Sequence, residues 1–385
     1  MLTSLAAILG GLIGAIALLV IVVWFLWFCI LRRRLPSNRN SETGSSDPPT
    51  IVEWSRRGRI SSSGDGHATE HQGARQFTLE ELSQATKSFD ECNLVGSGSF
   101  GLVYKGLLLD GTIVAIKMRR GAPQPEFVEE VKKLSEICHR NLVSLIGYCQ
   151  EGGLQMLVFE YLPNGSISRH LYDTGRDQVI RLEFKQRLSI AIGTAKGLTH
   201  LHSLVPQVVH KDFKSSNVLV DENFIAKVAD AGVAKLLQRL DDAGRSWSSG
   251  GNVFQDPEVE EFGALSEASD VYSFGVFLLE LITGQEVAHL FSPESEESLA
   301  QWVEARLVSN DLIDRQLGHS FTSEGMKSLI ELTLQCLNQS GRGRPKMSAV
   351  VTELDRILET EMMLTTVMGD GTAIVTLGSQ LFTSS

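Results

Sequence analysis

The sequence predicts an α+β fold with two lobes, the first built mainly from strands and the second mainly from helices. Short runs rich in β-branched and aromatic residues end by about residue 162, and helical patterns dominate after about residue 165. A strand-rich part followed by a helix-rich part is typical of two adjoining units. The N-terminus stands apart from both, because the first 31 residues contain no Asp, Glu, Lys or Arg.

Composition excludes several classes of protein. The 385 residues, 43% of them apolar, are enough to bury one large core or two modest ones. The net charge of −11 argues against a nucleic-acid partner, since nucleic-acid-binding proteins usually carry a basic face. The five cysteines are odd in number and show no paired spacing, so they predict free thiols in a reducing compartment.

The N-terminal segment 5–31 is predicted to be a transmembrane helix. Its uninterrupted apolar length exceeds the roughly 7–15 residues of a signal-peptide core, and no basic residue precedes it. Trp24 and Trp27 lie near one end, where indole rings favour the headgroup level. The arginines at 32–34 then predict a cytoplasmic side for the rest of the chain, with residues 1–4 outside. We therefore expect a single-pass protein of the plasma membrane without an ectodomain.

Glycines in this segment raise the question of dimerisation. Gly10, Gly11 and Gly14 give the predicted helix a face of small residues, on which two copies could pack closely. Glycine is common in membrane helices for other reasons, so a homodimer through this face is a hypothesis that crosslinking in membranes would test.

Composition also sets the domain boundaries. Residues 32–76 are rich in Ser, Gly, Arg and Asn, which predicts a flexible juxtamembrane linker. The linker carries eight Arg and five acidic residues, so anionic lipid of the bilayer is an expected contact. Apolar periodicity begins at Phe77, and we expect a folded domain over residues 77–358. Residues 359–385 form a tail with no interpretable pattern.

A glycine-rich motif opens the strand-rich part. "GSGSFGLV", residues 96–103, fits the pattern G-x-G-x-x-G-x-V. Dinucleotide-binding folds use a similar triplet, but there the glycines open a helix, whereas "LDGT" at 109–112 predicts a hairpin here. Glycines let a loop close over phosphates and aim backbone N–H groups at them. The residues predicted to contact a nucleotide in this loop are Val95, Gly96, Ser97, Gly98, Ser99, Phe100, Gly101, Leu102 and Val103.

A lysine and a glutamate are predicted to pair. Lys117 ends the apolar run "VAIK", where a buried ammonium is costly unless it has a partner. Glu130 lies on the predicted helix "EFVEEVKKLSE" along its apolar stripe, whereas Glu129 falls on another side. The stripe consists of Phe127, Val131 and Leu134. We therefore expect Lys117 and Glu130 to form a specific ion pair.

Further polar residues follow between two apolar runs. "HKDFKSSN", residues 210–217, places Asp212 to accept a hydroxyl proton, Lys214 to neutralise a moving phosphoryl group and Asn217 to ligate Mg²⁺. Asp230 of "DAG" supplies a second metal ligand thirteen residues later. A polar turn between two strands is the alternative for this motif taken alone. The ordered set of motifs makes phosphoryl transfer the stronger interpretation.

Longer phrases carry a family resemblance. Four phrases resemble the plant receptor-like kinases, a Pelle-like serine/threonine family. They are "FTLEELSQATKSFDECNLVG", "HRNLVSLIGYC", "LVFEYLPNGSI" and "DVYSFGVFLLELITG". The resemblance covers residues 77–358 and implies the bilobal protein kinase fold, ATP and Mg²⁺ as cofactors, and protein substrates. It also implies a gatekeeper at Phe159 and an ion pair between "DPE" at 256–258 and Arg344. The adenine contacts that it implies are Val103, Ala115, Glu160, Leu162 and Leu219.

Three positions depart from the family pattern. Lys211 stands where many members have arginine, Gly251 where a threonine is expected, and Ala231 where phenylalanine usually packs beneath the helix that bears Glu130. None of them removes a phosphate-handling group, so we expect an active serine/threonine kinase. The alternatives are an ATP-binding pseudokinase scaffold that regulates a partner receptor kinase, and a non-kinase nucleotide-binding protein. Ser246, Ser248 and Ser249 are candidate autophosphorylation sites.

Overall fold

The computed structural model describes residues 73–172, 182–240, 252–262, 265–292, 297–309, 311–318 and 320–367. The predicted membrane segment 5–31, the linker as far as residue 72, the predicted autophosphorylation serines and Gly251 lie outside these ranges. Within the described ranges, no helix combines the length and apolar character needed to cross a bilayer.

The first lobe is a six-stranded sheet with the strand order β1-β5-β6-β4-β3-β2. Strand β1 runs parallel to β5 and the other neighbouring pairs are antiparallel. Strand β1 pairs with β5, so the sheet includes Arg75 and Gln76. The strands are β1 (Arg75–Gln76), β2 (Leu94–Ser97), β3 (Leu102–Leu107), β4 (Ile113–Arg120), β5 (Leu145–Glu151) and β6 (Leu154–Glu160).

Alternation along β4 explains how the sheet positions its functional lysine. Val114 and Ile116 are fully buried against Phe77 and helix α1 (Leu79–Ala85) on one face of the sheet. Successive strand residues point to opposite faces, so Lys117 emerges on the other face, toward the second lobe. Helix α1 is fixed in place by a capping box, in which Thr78 and Glu81 satisfy each other's backbone N–H groups.

The second lobe is mainly helical, as predicted. Its helices and its short two-stranded sheet complete the bilobal fold and surround the largest apolar core. Helix α2 (Pro125–Ser135) belongs to the first lobe. The α-helices and strands of the second lobe are α3 (Ile167–Tyr172), α4 (Phe184–Ser203), β7 (Val218–Val220), β8 (Ala226–Val228), α5 (Val233–Leu240), α6 (Pro257–Phe262), α7 (Glu267–Thr283), α8 (Val287–Leu290), α9 (Leu299–Val308), α10 (Ser323–Cys336) and α11 (Met347–Val367).

Helix α7 is the central element of this core. Every residue from Ser269 to Thr283 is buried, as expected for a segment that is apolar nearly all round but too short to cross a bilayer. The helix ends at Gly284, whose backbone is left-handed with φ 65°. Glycine adopts that conformation without a Cβ clash, so Gly284 acts as the C-terminal cap that ends the helix.

A buried ion pair supports the second lobe, as the family resemblance implies. Both terminal nitrogens of Arg344 donate to the Asp256 carboxylate, at 2.7 and 2.8 Å. The guanidinium also donates to the backbone carbonyls of Ala268, Asn338 and Gln339. The arginine side chain has no exposed surface. Bidentate contact with a carboxylate and three carbonyl acceptors satisfy a charge that would otherwise be costly to bury.

Candidate active site

The predicted site residues meet in a cavity of about 660 Å³ between the two lobes. Four of the predicted site residues do not line this cavity, namely Glu130, Phe100, Gly101 and Leu102. Those that do are Val95, Gly96, Ser97, Gly98, Ser99, Val103, Ala115, Lys117, Glu160, Leu162, Asp212, Lys214, Asn217, Leu219 and Asp230. The cavity is also lined by residues that sequence reasoning missed, among them Val143, Tyr161, Asn164, Arg169, His170 and Ser216.

The glycine-rich loop is a hairpin over the cavity, as predicted. Gly96 pairs with Val103 across β2 and β3, and the N–H groups of Gly98 and Gly101 donate to each other's carbonyls across the turn. Gly101 has φ 142°, and a Cβ there would lie 2.1 Å from the Met118 carbonyl oxygen, so only glycine fits. Phe100 turns away from the cavity into an apolar cluster. Residues 95–99 and 103 line the cavity, and contact of residues 100–102 with a nucleotide stays a prediction.

The polar loop after α4 carries the candidate base. The Lys214 ammonium donates to the two Asp212 carboxylate oxygens at 3.1 and 3.4 Å, and the Asn217 amide donates to the Asp212 carbonyl at 2.7 Å. With its amide nitrogen on that carbonyl, Asn217 keeps its side-chain oxygen as a possible ligand atom. The predicted base Asp212, the predicted neutraliser Lys214 and the predicted metal ligands Asn217 and Asp230 all line the same cavity.

The loop is held by a buried carboxylate at the start of α7. Asp270 accepts the backbone N–H groups of His210 at 2.8 Å and Lys211 at 3.0 Å, and it also contacts His202 at 2.7 Å. Lys211 and Asp230 have left-handed backbones, with φ 70° and 63°. Such a conformation costs on the order of 1–3 kcal/mol per residue and persists where surrounding contacts fix it. Asp270 supplies those contacts for Lys211.

The predicted pair between Lys117 and Glu130 is not formed. The Lys117 ammonium instead contacts the carboxylate of Asp230, and both side chains are largely buried. The same ammonium lies 5.7 Å from the centre of the Phe159 ring. Glu130 instead contacts two other cations, Lys133 and Arg239. The lysine predicted to hold phosphate and a carboxylate predicted to hold metal therefore neutralise each other in this arrangement.

Glu130 is buried on the inward face of α2, and Glu129 is exposed, both as predicted. The Glu130 carboxylate contacts Arg239 of α5 and, at 2.7 Å, Lys133. Sequence reasoning missed helix α5, although "VAKLLQRL" carries a readable signal. Its apolar residues Val233, Leu236, Leu237 and Leu240 follow the spacing i, i+3, i+4, i+7 of an amphipathic helix, and all four are buried.

The segment that joins the lobes lies at the end of β6. Phe159 is buried, and Glu160 and Leu162 line the cavity, as the resemblance implies. The Glu160 N–H donates to the Ser144 carbonyl at 3.1 Å, so this N–H already has a partner within the protein. Val103, Ala115 and Leu219 supply apolar walls on either side.

The comparisons with known proteins agree with this geometry. A family model described as protein tyrosine and serine/threonine kinase matches residues 90–354. The chain belongs to this kinase family. Its matched region includes the glycine-rich hairpin, the cavity lysine, the catalytic loop and the buried Asp256–Arg344 pair.

Relatives from Arabidopsis thaliana confirm the resemblance to plant receptor-like kinases. The chain is 38% identical over 333 residues to "Proline-rich receptor-like protein kinase PERK13", which covers 83% of this chain and 46% of the relative. It is 41% identical over 290 residues to "Proline-rich receptor-like protein kinase PERK1", covering 72% and 44%. The kinase chain spans about half the length of the curated relatives it matches.

A solved structure shows the same fold. The kinase superposes on the pseudokinase domain of BIR2, an immune regulator of the RLK/Pelle family, with a TM-score of 0.60 and 30% identity. The match covers 73% of this chain and 86% of the solved one.

An ion pair fixes the segment at the end of β6. The Lys227 ammonium on β8 contacts both Glu160 carboxylate oxygens at 2.8 Å, and Glu160 also accepts the Ser144 N–H at 2.7 Å.

We expect Lys227→Met to weaken ATP binding about three- to tenfold, because the segment loses a charge-assisted contact that is partly exposed. Calorimetric titration with ATP measures this. Lys196→Met removes a surface pair with Asp355 and should leave the affinity unchanged; equal affinities in both variants would contradict the prediction.

A second buried carboxylate lies beneath the catalytic loop. Glu280 of α7 is 1% exposed, accepts the hydroxyl hydrogen of Ser215 and accepts the Val287 N–H at 3.1 Å. Burial raises the pKa of Glu280 from 4.5 to about 7. The folded kinase therefore keeps this proton at pH values where the unfolded chain has lost it.

This shift predicts how the stability of the kinase depends on pH. The contribution of protonated Glu280 is fully present below about pH 4.5 and is lost as the pH rises through about 7. Relative to Glu280→Gln, the free energy of unfolding of the wild type should fall by about 2–3 kcal/mol between pH 5 and pH 8. Urea unfolding of both chains at the two pH values measures the difference. Parallel pH dependences would show that Glu280 titrates as an ordinary carboxyl.

The donor set of the cavity fits Mg²⁺ with ATP. Asp230 offers a carboxylate and Asn217 an amide oxygen, which are the ligand types that Mg²⁺ prefers. Among the described residues, no group of three or more His, Cys, Asp or Glu could hold a metal ion without other ligands. Lys117 contacts one oxygen of the Asp230 carboxylate, the group that would ligate the metal.

Proposed function

We propose that the chain is a membrane-anchored serine/threonine kinase that transfers the γ-phosphoryl group of Mg²⁺-ATP to protein hydroxyls in signalling. The observation that carries this proposal is the convergence on one cavity of a base, two lysines and two metal ligands. These side chains come from β4, the catalytic loop and the residues after β8, and only the folded chain brings them together. Those residues are Lys117, Asp212, Lys214, Asn217 and Asp230.

Each group has a defined role in this proposal. Bound Mg²⁺-ATP supplies the transferable phosphoryl group and the cation that offsets its charge. Asp212 orients the substrate hydroxyl and accepts its proton at a carboxylate oxygen, while Lys214, 3.1 Å away, offsets the negative charge between nucleophile and phosphate. Lys117 would hold the phosphates, and Asn217 and Asp230 would hold the metal. The Glu160 carbonyl and the Leu162 N–H would orient adenine.

The test is transfer from γ-labelled ATP by the full chain to a mixed serine/threonine peptide library. Lys117→Glu serves as the inactive control, because it replaces the phosphate-contacting cation with an anion. We expect labelled peptides with the wild type and a signal at background with the control. Equal incorporation by the two chains would refute catalysis at this cavity.

A pseudokinase scaffold is the second candidate. The contacts of Lys117 with Asp230 and of Glu130 with Arg239 favour it, as does the similarity to a pseudokinase domain. In this role the chain would bind ATP and regulate a partner receptor kinase without transferring phosphate. It predicts a rise in melting temperature with Mg²⁺-ATP and no labelled product, and label that disappears in Lys117→Glu would exclude it.

The membrane location and the protein partner are part of the proposal. Segment 5–31 is the proposed anchor, and the relatives named as receptor-like kinases support a membrane location with the kinase lobes on the arginine-bearing side. Extraction of membranes with alkaline carbonate would test the anchor. Release of the full chain into the soluble fraction would contradict it.

A further inference from the structure

The stretch that leads from β6 into helix α3 forms one side of the cavity. The Gly165 carbonyl accepts the Val220 N–H at 2.9 Å. The Asn164 amide donates to the Asp221 carbonyl at 2.7 Å, and the His170 ring donates to the Asn164 carbonyl at 2.8 Å. These hydrogen bonds hold the start of α3 against β7 and the residue that follows it, so α3 presents its side chains to the cavity from a fixed backbone.

Helix α3 also lies beside the catalytic loop. It packs on the short turn Ser215–Asn217, which directly follows Lys214. Ser216 of this turn is exposed and lines the cavity. An extended peptide advances by only about 3.3 Å per residue, so a peptide whose hydroxyl reaches the Asp212 carboxylate has neighbouring residues close to the start of α3.

Arg169 of α3 is an exposed cation that lines this side of the cavity. Its side chain lies back over Gly165, since a Cβ on that glycine would be 3.8 Å from a terminal guanidinium nitrogen. Among the residues that the structure describes, no carboxylate forms an ion pair with Arg169. The guanidinium therefore keeps its N–H donors for a group from outside the chain.

The other charges of the cavity are already paired. Lys117 contacts Asp230, and Lys214 contacts Asp212. The third carboxylate of the described lining belongs to Glu160, which is paired with Lys227. Of the lysines and arginines in that lining, Arg169 alone lacks a carboxylate partner.

The neighbours of Arg169 do not offset its charge. Ser166 and Ser168 share a hydrogen bond between their hydroxyls at 2.8 Å, and Ser216 of the adjoining turn is neutral. Neither α3 nor the turn Ser215–Asn217 contains an acidic residue. An acidic residue of a peptide would gain a partner here, whereas a basic one would meet a like charge.

We propose that Arg169 is a specificity residue for the protein substrate, which binds the carboxylate of an Asp or Glu close to the phosphorylated hydroxyl. The planar guanidinium presents paired N–H donors that match the two oxygens of a carboxylate. The ATP phosphates are the less suitable partner, because the glycine-rich hairpin and Lys117 of the first lobe are proposed to hold them. This inference rests on the proposed function of the cavity as a protein kinase site.

The test is the binding of labelled serine peptides to the full chain with Mg²⁺-ADP, followed by fluorescence anisotropy. Each peptide carries one glutamate, glutamine or lysine, placed at successive positions on either side of the serine. We expect the wild type to bind the best glutamate peptide about three- to fivefold more tightly than its glutamine counterpart, the range for an exposed charge pair. In Arg169→Glu the order should reverse, so that lysine at the same position binds more tightly than glutamate.

Arg342→Glu is the matched control, because it makes the same charge change at an exposed arginine that does not line the cavity. It should keep the wild-type preference. The proposal is overturned if the wild type shows no preference for glutamate, if Arg169→Glu retains that preference, or if both variants lose it equally. Weaker binding of Mg²⁺-ADP by Arg169→Glu with the peptide preference unchanged would assign the arginine to the nucleotide instead.

The binding measurement separates this inference from the proposed catalysis. It uses Mg²⁺-ADP, so it does not require phosphoryl transfer. A glutamate preference that depends on Arg169, in a chain that labels none of these peptides from γ-labelled ATP, would establish the acidic-peptide subsite and count against the kinase function alone.

Discussion

Asp212→Asn is expected to lower the rate constant of phosphoryl transfer by about 10²–10⁴-fold, the range for loss of a positioned general base. Asparagine has nearly the same shape as aspartate, but its amide cannot take the proton of the substrate hydroxyl. The Lys214 ammonium then faces a neutral amide where it had a carboxylate, so the net charge next to the reacting phosphate also changes. Steady-state kinetics at saturating ATP with a peptide substrate measures the effect.

Two further measurements isolate the role of Asp212. The affinity for Mg²⁺-ATP should change little in Asp212→Asn, because Asn217 and Asp230 are the proposed metal ligands. Asp355→Asn removes a carboxylate from a surface pair with Lys196 and should retain the wild-type rate. A rate for Asp212→Asn within a few-fold of the wild type would exclude this carboxylate as the base.

Arg344→Met is expected to lower the free energy of unfolding by about 3–5 kcal/mol, the cost of leaving a buried charge without its partner. Methionine fills part of the space, yet the Asp256 carboxylate, 2% exposed, loses both of its guanidinium contacts. Three backbone carbonyls lose a donor at the same time. Urea unfolding monitored by circular dichroism measures the loss.

Arg356→Met is the matched control for that change. Arg356 pairs with Glu353 on the surface of α11, and its side chain is 52% exposed. An exposed pair of this kind contributes about 1 kcal/mol or less. Similar losses in the two variants would show that the buried pair has no special role in the second lobe. Activity assays of Arg344→Met are best made at low temperature, where the folded population stays high.

Sequence patterns predicted which residues form the site because each pattern describes a short stretch of the chain. The glycine spacing, the apolar run before Lys117 and the Asp212–Asn217 spacing each describe one turn or strand. The fold then brings these segments together in the same order along the chain as in other members of the family. The buried helix α7 was equally predictable, since an apolar segment too short to span a bilayer has to be covered by protein.

The partner of Lys117 was not predictable in the same way. Glu130 and Asp230 are both acidic, and the choice between them depends on where α2 lies relative to α5. The free energies of such alternative packings of one sequence differ by only a few kcal/mol. Residue spacing in the sequence cannot predict which of them is the more stable. The amphipathic pattern of residues 233–240 was visible in the sequence, but the surface that its apolar side covers was not. Strand β5 was missed for a simpler reason, because "LIGYCQE" ends in polar residues.

Transfer of phosphate to protein hydroxyls at this cavity is tested most directly by a single-turnover reaction of the full chain with γ-labelled ATP and Mg²⁺, in the wild type and in Lys117→Glu, followed by mass spectrometry of the labelled residues. We expect label on serine or threonine hydroxyls in the wild type and none in Lys117→Glu. Bound nucleotide with no labelled hydroxyl in the wild type would contradict the kinase and support the scaffold.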